Sequence, residues 1–465
     1  MIIVRGVAEL IALAATALAA VVVIREVGPA TAGVLAFTTT ILYLAAVVVG
    51  GGIGSLGAQL VAASPEVSRP VFRQALRLRM AYATVWVVLV ESAVLLMPLP
   101  GGLRDLLAWT APGAFLVAFR NEWFLVGRGA VGAAAGVRMV SALGALGAAL
   151  TVVHGQAVTL GLAAYVLATP VLAAAVSTAL AIRRLGPTIE PRPDADDRGW
   201  RSFATAGLAY LQADVSIFVS NNSDRVFLYA FGGAATTGIY DAAYKLIQPF
   251  AAISSVVGDS MFLALTRAGP RPGDQRTFRR FVDLMFVVAV PVGFVAFGFG
   301  RDLIELVYGT GFRDSGPLLG ALGWVVTTGY LSGVLAIPFS AWHAPREYGN
   351  SVFAGSLTNI VLNVVLIPPF LGLGAALATV AAKLAVVIAA IGPFRARSDY
   401  PVLNDFVQYC VAAAVALIVS LSIEAVLGLP WVVGLALFGA VYGSVLAAFR
   451  VRPRPPRSWS RRGSS

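Results

Sequence analysis

Nine charged residues fall within or beside long apolar stretches of this chain: Arg120, Arg138, Asp214, Asp224, Arg225, Asp241, Lys245, Asp259 and Lys383. An ionised side chain at membrane depth costs about 2.5–3.5 kcal/mol on insertion scales, so residues kept there are functional candidates by default. The five cations suit contact with an anion. A guanidinium grips a phosphate through paired hydrogen bonds, whereas an amine is a compact charge that responds to its surroundings. The four carboxylates suit coupling to a cation or proton, or hydrogen bonding between helices. Asp241 and Lys245 are four residues apart and can pair along one helix face. Glu122 is two residues from Arg120, a spacing that puts it on another face. Lys383 has no acid three or four residues away and needs a partner from another helix, a water-filled cavity or a substrate anion. Lys245 and Lys383 are the only lysines, against 32 arginines.

Other chemistries lack their residues. The two histidines, His154 and His343, are far apart and suggest no metal site, and the single cysteine, Cys410, excludes an internal disulfide. There is no phosphate loop after a strand and no hydrolase elbow, so neither enzyme activity nor a cofactor is expected. The glycines of GGGIGSLG (50–57) sit in or beside an apolar stretch, where small residues let helices approach closely.

The elements that position these charges follow from composition. Of 465 residues, 58% are hydrophobic and 12% charged, and mean hydropathy is +0.83. No soluble core needs so much apolar sequence, and the apolar runs are continuous and helix-length, so an all-α polytopic membrane protein is expected. Fourteen spans are predicted, at roughly 7–24, 33–62, 77–97, 104–127, 130–153, 157–182, 202–231, 236–266, 279–300, 315–342, 348–367, 373–394, 405–427 and 431–449. With both termini cytoplasmic, 25 of the 34 basic residues lie on the inner side and four outside. One span more or fewer would reverse the later loops and spoil this bias. The net charge of +11 is thus read as membrane topology, with no nucleic-acid partner expected.

Residues 28–37 (GPATAGVLAF) align with 233–242 (GAATTGIYDA), placing Gly28 and Gly33 on Gly233 and Gly238. Each copy follows one hydrophobic segment and opens the next, the mark of two related halves. The predicted organisation is a six-helix lobe over 1–183, a linker over 184–200 and a second six-helix lobe over 201–397. Two further helices over 398–449 and a basic tail over 450–465 complete it.

The chain resembles the polysaccharide repeat-unit flippases (Wzx-like) of the multidrug/oligosaccharidyl-lipid/polysaccharide (MOP) exporter superfamily. The carrying residues are the Arg25–Gly28–Gly33 turn, Asp224–Arg225 with the glycine-rich turn and GIYDAAYK (238–245), LIELVYGTGFRDS (303–315) and NIVLNVVLIPPFLGLGAALAT (359–379). The resemblance implies two lobes around a central cavity that opens alternately to each leaflet. It also implies a cargo of polyprenyl-type lipid bearing a glycan. Arg120, Arg138, Arg225, Lys245 and Lys383 are the cavity candidates for its phosphate, and Asp214, Asp224, Asp241 and Asp259 those for coupling. A functional monomer is expected, in contact with membrane lipids and glycan-assembly proteins. The alternatives are a multidrug exporter or lipid II flippase of the same superfamily, or a membrane-embedded glycosyltransferase or polymerase. The last would need a catalytic loop, and the loops here are connector-length.

Overall fold

The computed structural model describes residues 2–152, 158–185, 200–269, 275–342 and 344–451. Among them are fourteen α-helices and no strand. The first half contains α1 (Ile2–Gly50), α2 (Ile53–Ala63), α3 (Ser68–Leu96), α4 (Gly101–Thr110), α5 (Gly113–Ala118), α6 (Glu122–Gly127), α7 (Val131–Val152) and α8 (Val158–Arg184). The second contains α9 (Trp200–Ala268), α10 (Gln275–Tyr308), α11 (Ser315–Ala341) and α12 (Pro345–Arg395), followed by α13 (Val402–Leu427) and α14 (Trp431–Val451). In the first half α1 packs along α7, with α4 and α5 against it; in the second α9, α10, α11 and α12 pack on one another. The hairpin α13–α14 rests on α10. The halves meet chiefly where α1 lies against α9.

The outer surface fits lipid. Leu96, Val426 and Ile388 are 84%, 81% and 74% exposed, which water would penalise and hydrocarbon does not. Among the described residues nine helices are long and apolar enough to cross a membrane, and α9 joins them as a bent pair. Several carry two passes. α1 is kinked at Gly28 (φ 74, ψ 171), α9 at Gly233 (φ 74, ψ −175) and α12 at Leu371 (φ 47, ψ −124). Splitting these three and taking α4 to α6 as one interrupted pass restores the fourteen passes expected.

The breaks differ from the expected spans in instructive ways. No loop separates the first two passes or the seventh and eighth, because a single glycine at positive φ turns the chain between helices. Gly28 and Gly233, aligned in the repeat, share this conformation. The expected span 33–62 is instead cut at Gly51 and Gly52, both at positive φ, where α2 begins. Span 104–127 is interrupted twice, at 111–112 beside Pro112 and at 119–121. Pro170, Pro249, Pro291 and Pro338 lie inside helices that continue through them, as neighbouring helices in a membrane bundle permit.

Candidate functional site

The interruption at 119–121 explains why Arg120 and Glu122 meet despite their two-residue spacing. Asn121 leaves helical geometry (φ −113, ψ 25), and Arg120 Nη2 lies 3.0 Å from Glu122 Oε1. The expectation of different faces assumed an unbroken helix. The freed backbone is satisfied from two sides. Arg79, only 6% exposed, donates to the carbonyls of Val117 (2.9 Å) and Arg120 (2.8 Å), while Ser177 Oγ accepts the Asn121 N–H at 2.8 Å. Arg79 is one of the 25 basic residues assigned to the inner side, and nothing local in the sequence marks it as a brace. Arg138 on α7 is paired elsewhere, its Nε donating to Glu9 Oε2 of α1 at 3.2 Å.

Across the Gly233 kink, the two arms of α9 are tied together by buried polar groups. Arg225 Nε donates to Asp241 Oδ1 at 2.7 Å, Arg225 Nη1 to Asn222 Oδ1 at 3.2 Å, and the guanidinium sits 4.4 Å from the Tyr244 ring centre. Tyr240 donates to Asp224 Oδ2 at 2.6 Å. Asp241 is therefore held by Arg225, and no ion pair joins it to Lys245 among the described residues. The helical i,i+4 geometry allowed that pair, but a guanidinium from the other arm takes the carboxylate first.

The three arginines among the candidates are thus neutralised by Glu122, Glu9 and Asp241. The two lysines are not. Lys245 and Lys383 are half-buried, with neither ion pair nor hydrogen bond among the described residues. Lys383 lines a cavity of about 180 Å³ inside the second half, together with Asn221, Asp224, Tyr244, Tyr330 and Thr379. Helices α9, α11 and α12 each contribute to it. Among the coupling candidates, Asp224 lines this cavity, and Asp214 is half-buried on α9 with no hydrogen-bond partner among the described residues. The side chain of Asp259 lies outside those described, as do both histidines and the tail beyond Val451.

A buried amide cluster escaped the sequence reading. Asn363 Nδ2 donates to Ser223 Oγ and Asn359 Oδ1, both at 3.1 Å, and Asn359 Nδ2 reaches Thr379 Oγ1 at 3.4 Å. Asn363 Oδ1 is buried without a donor among the described residues. Two asparagines four apart in an apolar span were the available signal. Among the described residues no three His, Cys, Asp or Glu side chains come together as a metal set.

A family model described as polysaccharide biosynthesis protein matches residues 133–317, from α7 to the start of α11. Among solved structures, the lipid II flippase MurJ in an inward closed conformation is similar over 96% of this chain and 98% of that one, with a TM-score of 0.78 and 12% identity. An inward-facing multidrug resistance MATE family transporter of the MOP superfamily matches 85% of this chain and 98% of its own, with a TM-score of 0.62 and 14% identity. A MOP superfamily transporter from Pyrococcus furiosus, described as having a binding pocket of reversed polarity, matches 85% and 95% with a TM-score of 0.58 and 13% identity. No curated protein matches the chain. At these identities the likeness defines the fold, which is that of the MOP-superfamily transporters. Together with the polysaccharide-biosynthesis match, it supports the resemblance to Wzx-like flippases.

Proposed function

We propose that this multi-pass membrane protein is a flippase carrying a lipid-linked oligosaccharide from the cytoplasmic to the outer leaflet of the cell membrane. Both termini lie in the cytoplasm, a single chain suffices, and no bond is made or broken. The observation that carries this reading is Lys383, an amine without an ion-pair or hydrogen-bond partner among the described residues, lining a cavity inside a transporter fold. The arginines already have carboxylate partners, so an incoming anion meets the lysines first. A cavity of 180 Å³ is smaller than ordinary ligand pockets of about 300–1,000 Å³. It fits a phosphate-sized group, with the glycan held outside it and the prenyl tail in lipid. Neutralising the phosphate removes the main barrier to its crossing hydrocarbon. Asp224, on the same cavity wall, is the coupling residue in this scheme. A second reading, lipid II as cargo, is favoured by the similarity to MurJ over 96% of the chain.

The test deletes the gene in its host and measures lipid-linked glycans and lipid II on each membrane face, beside sensitivity to cationic drugs. The expected outcome is a prenyl-linked oligosaccharide accumulating on the cytoplasmic face, restored by the wild-type chain and not by Lys383→Ala. Rescue by Lys383→Ala removes the site and keeps the flippase. Accumulation of lipid II selects the second reading, and unchanged glycans with raised drug sensitivity refute both.

A further inference from the structure

The α1–α9 seam has a glycine crossing at each end. At one end a Cβ on Gly33 would fall 1.7 Å from the carbonyl oxygen of Ala234, and a Cβ on Gly238 would fall 1.9 Å from that of Pro29. The repeat aligns Pro29 with Ala234 and Gly33 with Gly238, so this contact is reciprocal, as across a two-fold axis. At the other end a Cβ on Gly52 would fall 2.1 Å from the Gly207 carbonyl oxygen, and one on Gly207 2.8 Å from that of Gly51. Tyr210 adds a hydrogen bond to Gln59 Oε1 at 2.7 Å. Between the two crossings, Phe37 packs on Tyr229 and Tyr43 on Phe218, with ring centres 4.4 and 5.5 Å apart. At about 1.5 Å per residue, the stretch from Gly33 to Gly52 spans roughly 28 Å, close to the ~30 Å hydrocarbon thickness of a bilayer. The crossings therefore sit at opposite membrane faces.

We propose that these crossings are the two gates of the transport cycle, Gly33–Gly238 closing one face and Gly52–Gly207 the other. The proposal rests on the transporter reading above. Each gate is backbone against backbone, so it closes tightly, and opening the second also breaks the Tyr210–Gln59 hydrogen bond. A methyl group at either crossing is incompatible with that gate's closed form and compatible with its open form. Alternation follows from the separation: opening one end pivots the halves about the other crossing.

The test uses a Cys410→Ala background with a single reporter, Ala36→Cys near the first crossing or Val47→Cys near the second. These positions are 2% and 8% exposed. A membrane-impermeant thiol reagent is applied to intact cells and to inside-out vesicles. Gly238→Ala is expected to raise labelling at Ala36→Cys about tenfold from the face carrying Gly33, the shift that about 1.4 kcal/mol of overpacking produces. Gly207→Ala is expected to do the same at Val47→Cys from the opposite face. Gly50→Ala, whose Cβ meets nothing within 4 Å, leaves both unchanged. Folded variants labelled like the parent, or both opening the same face, overturn the proposal. If neither alanine variant accumulates, a Phe37→Cys/Tyr229→Cys cross-link in the glycine-intact chain decides. It is expected to abolish labelling of the Val47→Cys reporter from the first face while sparing labelling from the second. Unchanged labelling from the first face overturns the proposal. Labelling needs no substrate, so these outcomes are independent of the cargo.

Discussion

Asp241→Asn offers the sharpest energetic test of the arrangement around the Gly233 kink. Asp241 and Arg225 are 4% and 6% exposed, and their side chains meet at 2.7 Å. Removing the carboxylate charge leaves a buried guanidinium with Asn222, the Tyr244 ring and the neighbouring Asp224 charge as its remaining partners. Breaking a buried pair from one side costs about 3–5 kcal/mol, because the surviving charge stays desolvated. Replacing both residues by apolar groups of similar volume is close to neutral, since neither charge remains to be solvated. Unfolding in mixed micelles, titrated with sodium dodecyl sulfate and followed by tryptophan fluorescence, measures the difference. Asp241→Asn and Arg225→Met are each expected to lower stability by about 3–5 kcal/mol, and Arg225→Met/Asp241→Leu by about 1 kcal/mol or less. Single variants within 0.5 kcal/mol of wild type, or a double variant equal to the sum of the singles, would refute the reasoning.

Two further outcomes follow from the fold. Arg79→Gln loses charged donors to the Val117 and Arg120 carbonyls, so a loss of about 2–4 kcal/mol is expected in the same titration. The effect should be accompanied by faster proteolysis near 119–121; unchanged stability and cleavage would show that the interruption needs no brace. Topology is read by single cysteines in a Cys410→Ala background. Positions in the 64–68 and 428–430 connections are expected to label from the inner and outer faces respectively, and the reverse pattern would overturn the proposed orientation.

The class of this protein was written in the sequence. Continuous apolar runs of helix length can be accommodated only in a membrane, and the arginine distribution requires an even number of passes. The repeat was legible too, because a tight turn between helices demands a residue that accepts positive φ, and Gly28 and Gly233 do so with matching geometry. Of the glycines of 50–57, expected as packing residues, Gly52 meets α9 and Gly57 meets the Trp123 ring, while Gly51 and Gly52 also break the helix at positive φ and Gly50 has open space beside it. What the sequence could not assign was partnership. Helical spacing offered Asp241 to Lys245 and denied Glu122 to Arg120, and both inferences assumed a regular helix and no competitor. Tertiary structure decided otherwise, by a kink that brings Arg225 onto Asp241 and an interruption that turns Arg120 onto Glu122. The consequence for function is the same physics. Charge neutralisation depends on distances of about 3 Å between groups far apart in sequence, and only the folded chain shows that the arginine candidates are paired while Lys383 is left facing a cavity.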